Sequence, residues 1–148
     1  MVSSRGQSKG CLATFVERKI RFYVAIKMDD RTKDSMFLAI GFLYNTLTSK
    51  LLKTFTVGRG KEFAYFEQVE TEFGIPMYFA DAYAAWQRGS NENSNGLLRE
   101  FFPKKTDLAK VTLDKVTEAL VLINSRPRKY LGFKTPFDMF KHEIRKLI

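Results

Sequence analysis

At 148 residues the chain has the length of one domain, and 45% hydrophobic and 14% aromatic residues exclude a disordered tail. Its 25 lysines and arginines against 16 acids give a net charge of +9 and a pI near 9.7. That excess favours a polyanionic partner, with nucleic acid ahead of a membrane surface because no strongly amphipathic basic helix is evident. The longest apolar run, residues 36–44, is far short of a membrane span. The polar N-terminus has no signal-peptide core, and Cys11 is the sole cysteine, which excludes a disulfide framework and a cysteine-rich metal site. The expected compartment is the cytoplasm.

In chain order, residues 11–17 alternate as a strand, with Leu12, Thr14 and Val16 set against Ala13 and Phe15. A polar break at Arg18-Lys19 leads to a second β-rich run over residues 22–28, which predicts a hairpin. After the Asp29-Asp30-Arg31 turn, Thr32 can cap a helix reaching about Thr48, with Met36, Ile40, Leu43 and Leu47 on its inner face. Residues 54–57 read as a short strand ending in Gly58-Arg59-Gly60, residues 66–73 as a short helix stopped by Gly74, and residues 77–79 as another strand. Residues 81–89 form a loop carrying Tyr83 and Trp86. Thr112 caps a helix with Leu113, Val116, Leu120 and Ile123 on one face, and Pro136 suits the first position of a last helix. Adjacent strands followed by alternating strands and helices define an α/β fold, a mixed sheet flanked by helices, in one domain over residues 1–148. Parallel strands in such sheets place ligands beyond their C-terminal ends, where Gly58 and the loop leading to Glu92 both fall.

Residues 86–102, WQRGSNENSNGLLREFF, open polar and close apolar. Ser90 can cap a helix with Glu92 in its first turn, Leu97, Leu98, Phe101 and Phe102 supply a buried face, and Pro103 stops it. Glu92, flanked by Arg88, Asn91, Asn93 and Asn95, reads either as a site carboxylate or as an acid favouring the positive end of a helix dipole.

Four blocks, GCLATFVERKIRF, TVGRGKEF, WQRGSNENSNGLLREFFPK and INSRPRKYLGFKTPFDMF, resemble the integrase core of bacterial insertion-sequence transposases of the IS-thirty family. The resemblance spans nearly the whole chain, and its most specific parts are the Asn-Glu-Asn-x-Asn-Gly and Arg-Pro-Arg-Lys-x-Leu-Gly blocks. It implies a ribonuclease-H-like fold, a five-stranded mixed sheet flanked by helices. It also implies an Asp, Asp, Glu triad holding two magnesium or manganese ions that activate water or a DNA 3′-hydroxyl for in-line attack on a phosphodiester. The family's glutamate falls on Glu92. Its second aspartate falls on Gly58, and the thirty-three residues between the two positions match the family spacing. The first aspartate belongs to a strand just ahead of Val2-Ser3-Ser4, so the expectation is a first strand cut short and a helix-turn-helix region absent. One glutamate holds a hard divalent cation poorly, so stable metal binding and catalysis are not expected of this chain. Asp29, Asp30 and Asp81 are not expected to substitute.

DNA is the implied partner, with Arg59, Lys61, Arg88, Asn91, Asn95, Arg126, Arg128 and Lys129 as candidate contacts, alongside a homodimer or association with an intact transposase. Lys61 and Glu62 read equally as an exposed polar turn, Arg126 to Lys129 as a turn packed on the core, and Tyr83 and Trp86 as stacking groups or as packing beneath their loop. His142 reads as surface or packing rather than as a ligand, and Cys11 as a small core residue. A non-catalytic nucleic-acid-binding module is the alternative to a transposase core.

Overall fold

The computed structural model describes residues 1–80 and 89–147, without the side chains of residues 48–50, 89 and 90. Its strands are β1 (Val2–Ser3), β2 (Cys11–Val16), β3 (Tyr23–Met28), β4 (Phe55–Val57) and β5 (Met77–Phe79). Its helices are α1 (Lys33–Leu51), α2 (Phe66–Phe73), α3 (Gly89–Phe101), α4 (Leu113–Asn124) and α5 (Pro136–Leu147).

The hairpin forms as the alternation requires: β2 and β3 pair antiparallel from Cys11↔Met28 to Val16↔Tyr23. Because side chains alternate across a strand, this sheet carries two cores. Cys11, Ala13 and Met28 face Met36, Ile40 and Leu43 of α1, together with Phe55, Val57 and Met77. Leu12, Tyr23 and Ala25 face Leu98 of α3 and Val116, Ala119 and Ile123 of α4. The sheet is therefore a middle layer between α1 and the α3–α4 pair.

The expected α/β fold is present, and the described strands do not join in a single five-stranded sheet. The described strands divide into an antiparallel trio, β1-β2-β3, and a parallel pair, β4-β5. Strand β1 adds two rungs, Val2↔Leu12 and Ser3↔Cys11, which cover a third of β2. Between Thr14–Val16 of β2 and Phe55–Val57 of β4 lies a cleft of about 710 Å³, with Met36, Leu43 and Leu47 of α1 among its walls and Met1 lining it as well. Phe15 and Phe55 approach across the divide, their ring centres 5.8 Å apart.

Local chemistry sets the helix starts. Thr32 Oγ1 accepts from the Ser35 amide at the head of α1, and Thr112 Oγ1 from the Lys115 amide at the head of α4. At α5, Thr135 and Asp138 bond reciprocally: the Thr135 amide donates to Asp138 Oδ2 and the Asp138 amide to Thr135 Oγ1. Helix α3 begins by Gly89, a residue before the cap expected at Ser90, and ends ahead of Pro103.

Those backbone and hydroxyl bonds from Thr135 hold the Asp138 carboxyl below its ordinary range, and bonds from Ser35 and Thr32 do the same for Asp30. Carboxyls depressed in the folded state contribute stability that is present above their unfolded pKa, near 4, and is lost as pH falls through the folded value. Urea unfolding should therefore give a stability that is level above about pH 5 and declines towards pH 3. Asp138→Asn should make that decline shallower; an identical slope in the variant would show that the α5 cap carries none of it.

Candidate nucleic-acid-processing site

Polar groups that would be expected to face solvent instead fasten α3 to the sheet. Asn91 Nδ2 donates to the Thr14 carbonyl at 3.2 Å, Thr14 Oγ1 donates to Asn91 Oδ1 at 3.4 Å, and Asn95 Nδ2 donates to Asn91 Oδ1 at 3.0 Å. The Tyr23 hydroxyl completes the chain, donating to Asn95 Oδ1 at 2.6 Å, and burial pushes that phenol well above its usual range. The four-residue step from Asn91 to Asn95 puts both amides on the inward face, and Leu98 and Phe102 continue it into the core. Glu92, about 100° further round the helix, is exposed in the first turn. Its outward position is thus set by its neighbours' bonds to β2 and β3.

The second edge of the site is the C-terminal end of β4. Strands β4 and β5 run parallel from Phe55↔Met77 to Val57↔Phe79, so both end on the same side. Just beyond them the Ala80 amide donates to the Val57 carbonyl at 2.8 Å, and Arg59 Nε donates to the Ala80 carbonyl at 3.1 Å. Gly58 follows Val57 directly and is not in the left-handed backbone region. Val57, Thr14 and Asn91 line one cleft, which brings the neighbours of Gly58 and of Glu92 together around it.

Lys61 is exposed, as a polar turn would have it. Glu62 is not: its side chain is 8% exposed and its carboxylate lies 3.5 Å from Arg31 Nη2. That carboxylate folds over Gly60, where any Cβ would collide with it, so the glycine gives the acid its place beneath the loop after β4. Asp30 is engaged in accepting hydrogen bonds from Thr32 and Ser35 at the start of α1.

Of the basic tail, Arg126 bonds Glu100 at 3.0 Å and lies over the Phe101 ring at 5.7 Å. Arg128 is half-buried and its Nη2 donates to the Ile123 carbonyl at 3.4 Å, while Lys129 is exposed. Arg88, like Asp81, Tyr83 and Trp86, lies outside the described residues. His142 is exposed and Cys11 is buried, its thiol pushed up to about 11 by burial.

Among the described residues the site offers no donor set for a pair of divalent cations. Gly58 supplies no side-chain ligand, and among the described residues no group of three or more His, Cys, Asp or Glu is placed to hold a metal ion. Thr14, Tyr23 and Arg31 are the supporting residues that sequence reasoning missed. The polar Thr14 interrupting an apolar strand was the available signal.

No protein-family model matches the chain. The fold is the α/β fold of retroviral integrase catalytic cores. The BIV integrase core superposes with a TM-score of 0.69 over 97% of this chain and 100% of that one at 18% identity. The HTLV-2 integrase core, solved in complex with magnesium, gives 0.67 over 90% and 86% at 20% identity. Sequence comparison then narrows the class. Transposase InsI of the element IS30A from Escherichia coli (strain K12) is 37% identical over 139 residues, 94% of this chain and 36% of that protein. The IS4351 transposase of Bacteroides fragilis is 42% identical over 96 residues, 65% and 29% of the respective chains. The chain is a homologue of IS30-family transposases and spans about a third of their length.

Proposed function

We propose that this chain is the DNA-processing core of an IS30-type transposase, by descent a cutter and joiner of phosphodiesters, and that as it stands it binds DNA without cutting it. The observation that carries the reading is Glu92, exposed at the start of α3 beside the cleft, with Gly58 at the strand end where the family's spacing calls for aspartate. Magnesium or manganese is the family's cofactor, and the residues described do not supply its ligands. The net charge of +9 supports contact with the phosphate backbone, chiefly through Lys61, Arg126 and Lys129. Asn91 and Asn95, bonded to the sheet, serve to aim Glu92. Among the described residues no helix is long and apolar enough to cross a membrane. Leu38 and Phe42, 72% and 62% exposed one turn apart on α1, favour association with a second copy or with an intact transposase.

Fluorescence anisotropy with plain duplex DNA tests the reading. Affinity should fall steeply with salt, vary little with sequence, and lose about one unit of log–log salt slope for each phosphate contact removed at Arg126 or Lys129. Binding that ignores salt, or no binding at low salt, would overturn it.

A further inference from the structure

The segment after α4 is a closed loop with an unusual tip. The Arg128 amide donates to the Lys134 carbonyl at 3.0 Å, the Phe133 amide to the Arg128 carbonyl at 2.8 Å, and the Gly132 amide to the Lys129 carbonyl at 3.1 Å. Gly132 turns the chain in the left-handed region at φ 64°, and Phe133 follows in the same region at φ 67°. An aromatic residue with a Cβ is strained there, and the strain brings no burial, because Phe133 is 70% exposed. Tyr130, three residues earlier, is 67% exposed, and the Arg21 guanidinium lies 4.2 Å from its ring centre. A loop built only to pack would hide these rings.

Around the tip basic residues predominate, although Arg126 is paired with Glu100 and Asp138 lies within the field of Lys134. Lys129 and Lys134 are exposed, and Arg128 sits at the loop's base with Arg126 two residues before it. Arg128 Nε is buried and is, among the described residues, the side-chain polar atom left without a hydrogen-bond partner. Its Nη2 donates to the Ile123 carbonyl and its Nε is out of an anion's reach, so Arg128 adds positive charge at the base of the loop rather than a direct phosphate contact.

We propose that loop 126–134 is a contact for unpaired DNA, with Phe133 and Tyr130 stacking on exposed bases while the exposed Lys129 and Lys134 hold the flanking phosphates. This rests on the DNA-binding reading above and narrows it: stacking needs a free base face, which an intact duplex withholds. Cations alone would track any backbone; two presented rings select for unstacked bases.

The test compares a labelled oligo(dT) single strand with a blunt duplex at equal salt. Phe133→Gly relieves the left-handed strain, so it should keep or raise the melting temperature while weakening oligo(dT) binding about tenfold. Tyr130→Ala should act in the same direction. Both should leave duplex affinity within about twofold, and Phe133→Trp should retain single-strand binding where Phe133→Leu loses it. Equal losses on single strand and duplex, or no loss on either, would overturn the proposal. Failure of the wild-type chain to bind duplex at all would instead strike the broader reading.

Discussion

Placing aspartate at position 58, together with a strand-forming segment ahead of Met1 that carries a second aspartate, should give magnesium-dependent DNA nicking. Gly58 is not among the glycines in the left-handed region, so the backbone there does not demand glycine. The added segment has a place prepared. The cleft between Thr14–Val16 and Phe55–Val57 is bounded by strands on both sides, and Met1 already lines it, its ammonium donating to Thr14 Oγ1 at 3.1 Å. A strand there would adjoin Thr14, whose Oγ1 and carbonyl hold Asn91 and through it the start of α3. Three carboxylates would then converge on one end of the sheet, a donor set able to hold hard cations. Lewis-acid and nucleophile-generating effects are worth several kcal/mol, so Glu92→Gln in the repaired protein should abolish nicking by roughly a thousandfold or more. If that substitution left nicking intact, Glu92 would not be a ligand.

Asn124→Ala should be among the most destabilising single changes. Asn124 is 1% exposed at the end of α4, where its Oδ1 accepts from the Tyr23 amide at 2.9 Å and its Nδ2 donates to the Tyr23 carbonyl at 2.8 Å. The side-chain amide thereby imitates a neighbouring strand along the outer edge of β3. Alanine would leave a buried N–H and a buried C=O unpaired, at about 1–3 kcal/mol each. A loss on the order of 3 kcal/mol is expected by urea unfolding. A loss below about 1 kcal/mol would show that water or a shifted α4 satisfies Tyr23. Because Tyr23 also holds Asn95, the change should loosen the start of α3 as well, joining the stability of the sheet edge to the aim of Glu92.

Much of the fold was readable because its signals are local. Thr112 and the Thr135–Pro136–Asp138 cluster mark their helix starts by capping chemistry, and α1 declares its inner face through Met36, Ile40 and Leu43. Residues 66–73 and 77–79 form the elements expected of them. The short first strand was expected, but the separation of β4-β5 from β1-β2-β3 was not readable from local pattern. The site divides in the same way. Glu92 and Gly58 follow from motif and spacing, which are properties of sequence alone. Asn91 and Asn95 suggest DNA contacts by residue type, yet their partners, Thr14 and Tyr23, lie more than seventy residues earlier in the chain. Glu62 looks exposed in a run of polar residues and is buried only because Arg31 and Gly60 meet it from elsewhere.

We propose that Glu92, with glycine rather than aspartate at position 58, does not sustain a metal site. Thermal unfolding across a magnesium or manganese titration tests this directly, because a ligand that binds the folded state raises its melting temperature with concentration. The unaltered chain should show no saturable rise, whereas the Gly58→Asp protein with the added aspartate strand should show one that Glu92→Gln removes. A clear dose-dependent rise in the unaltered chain would contradict the claim and show that a metal site survives in it.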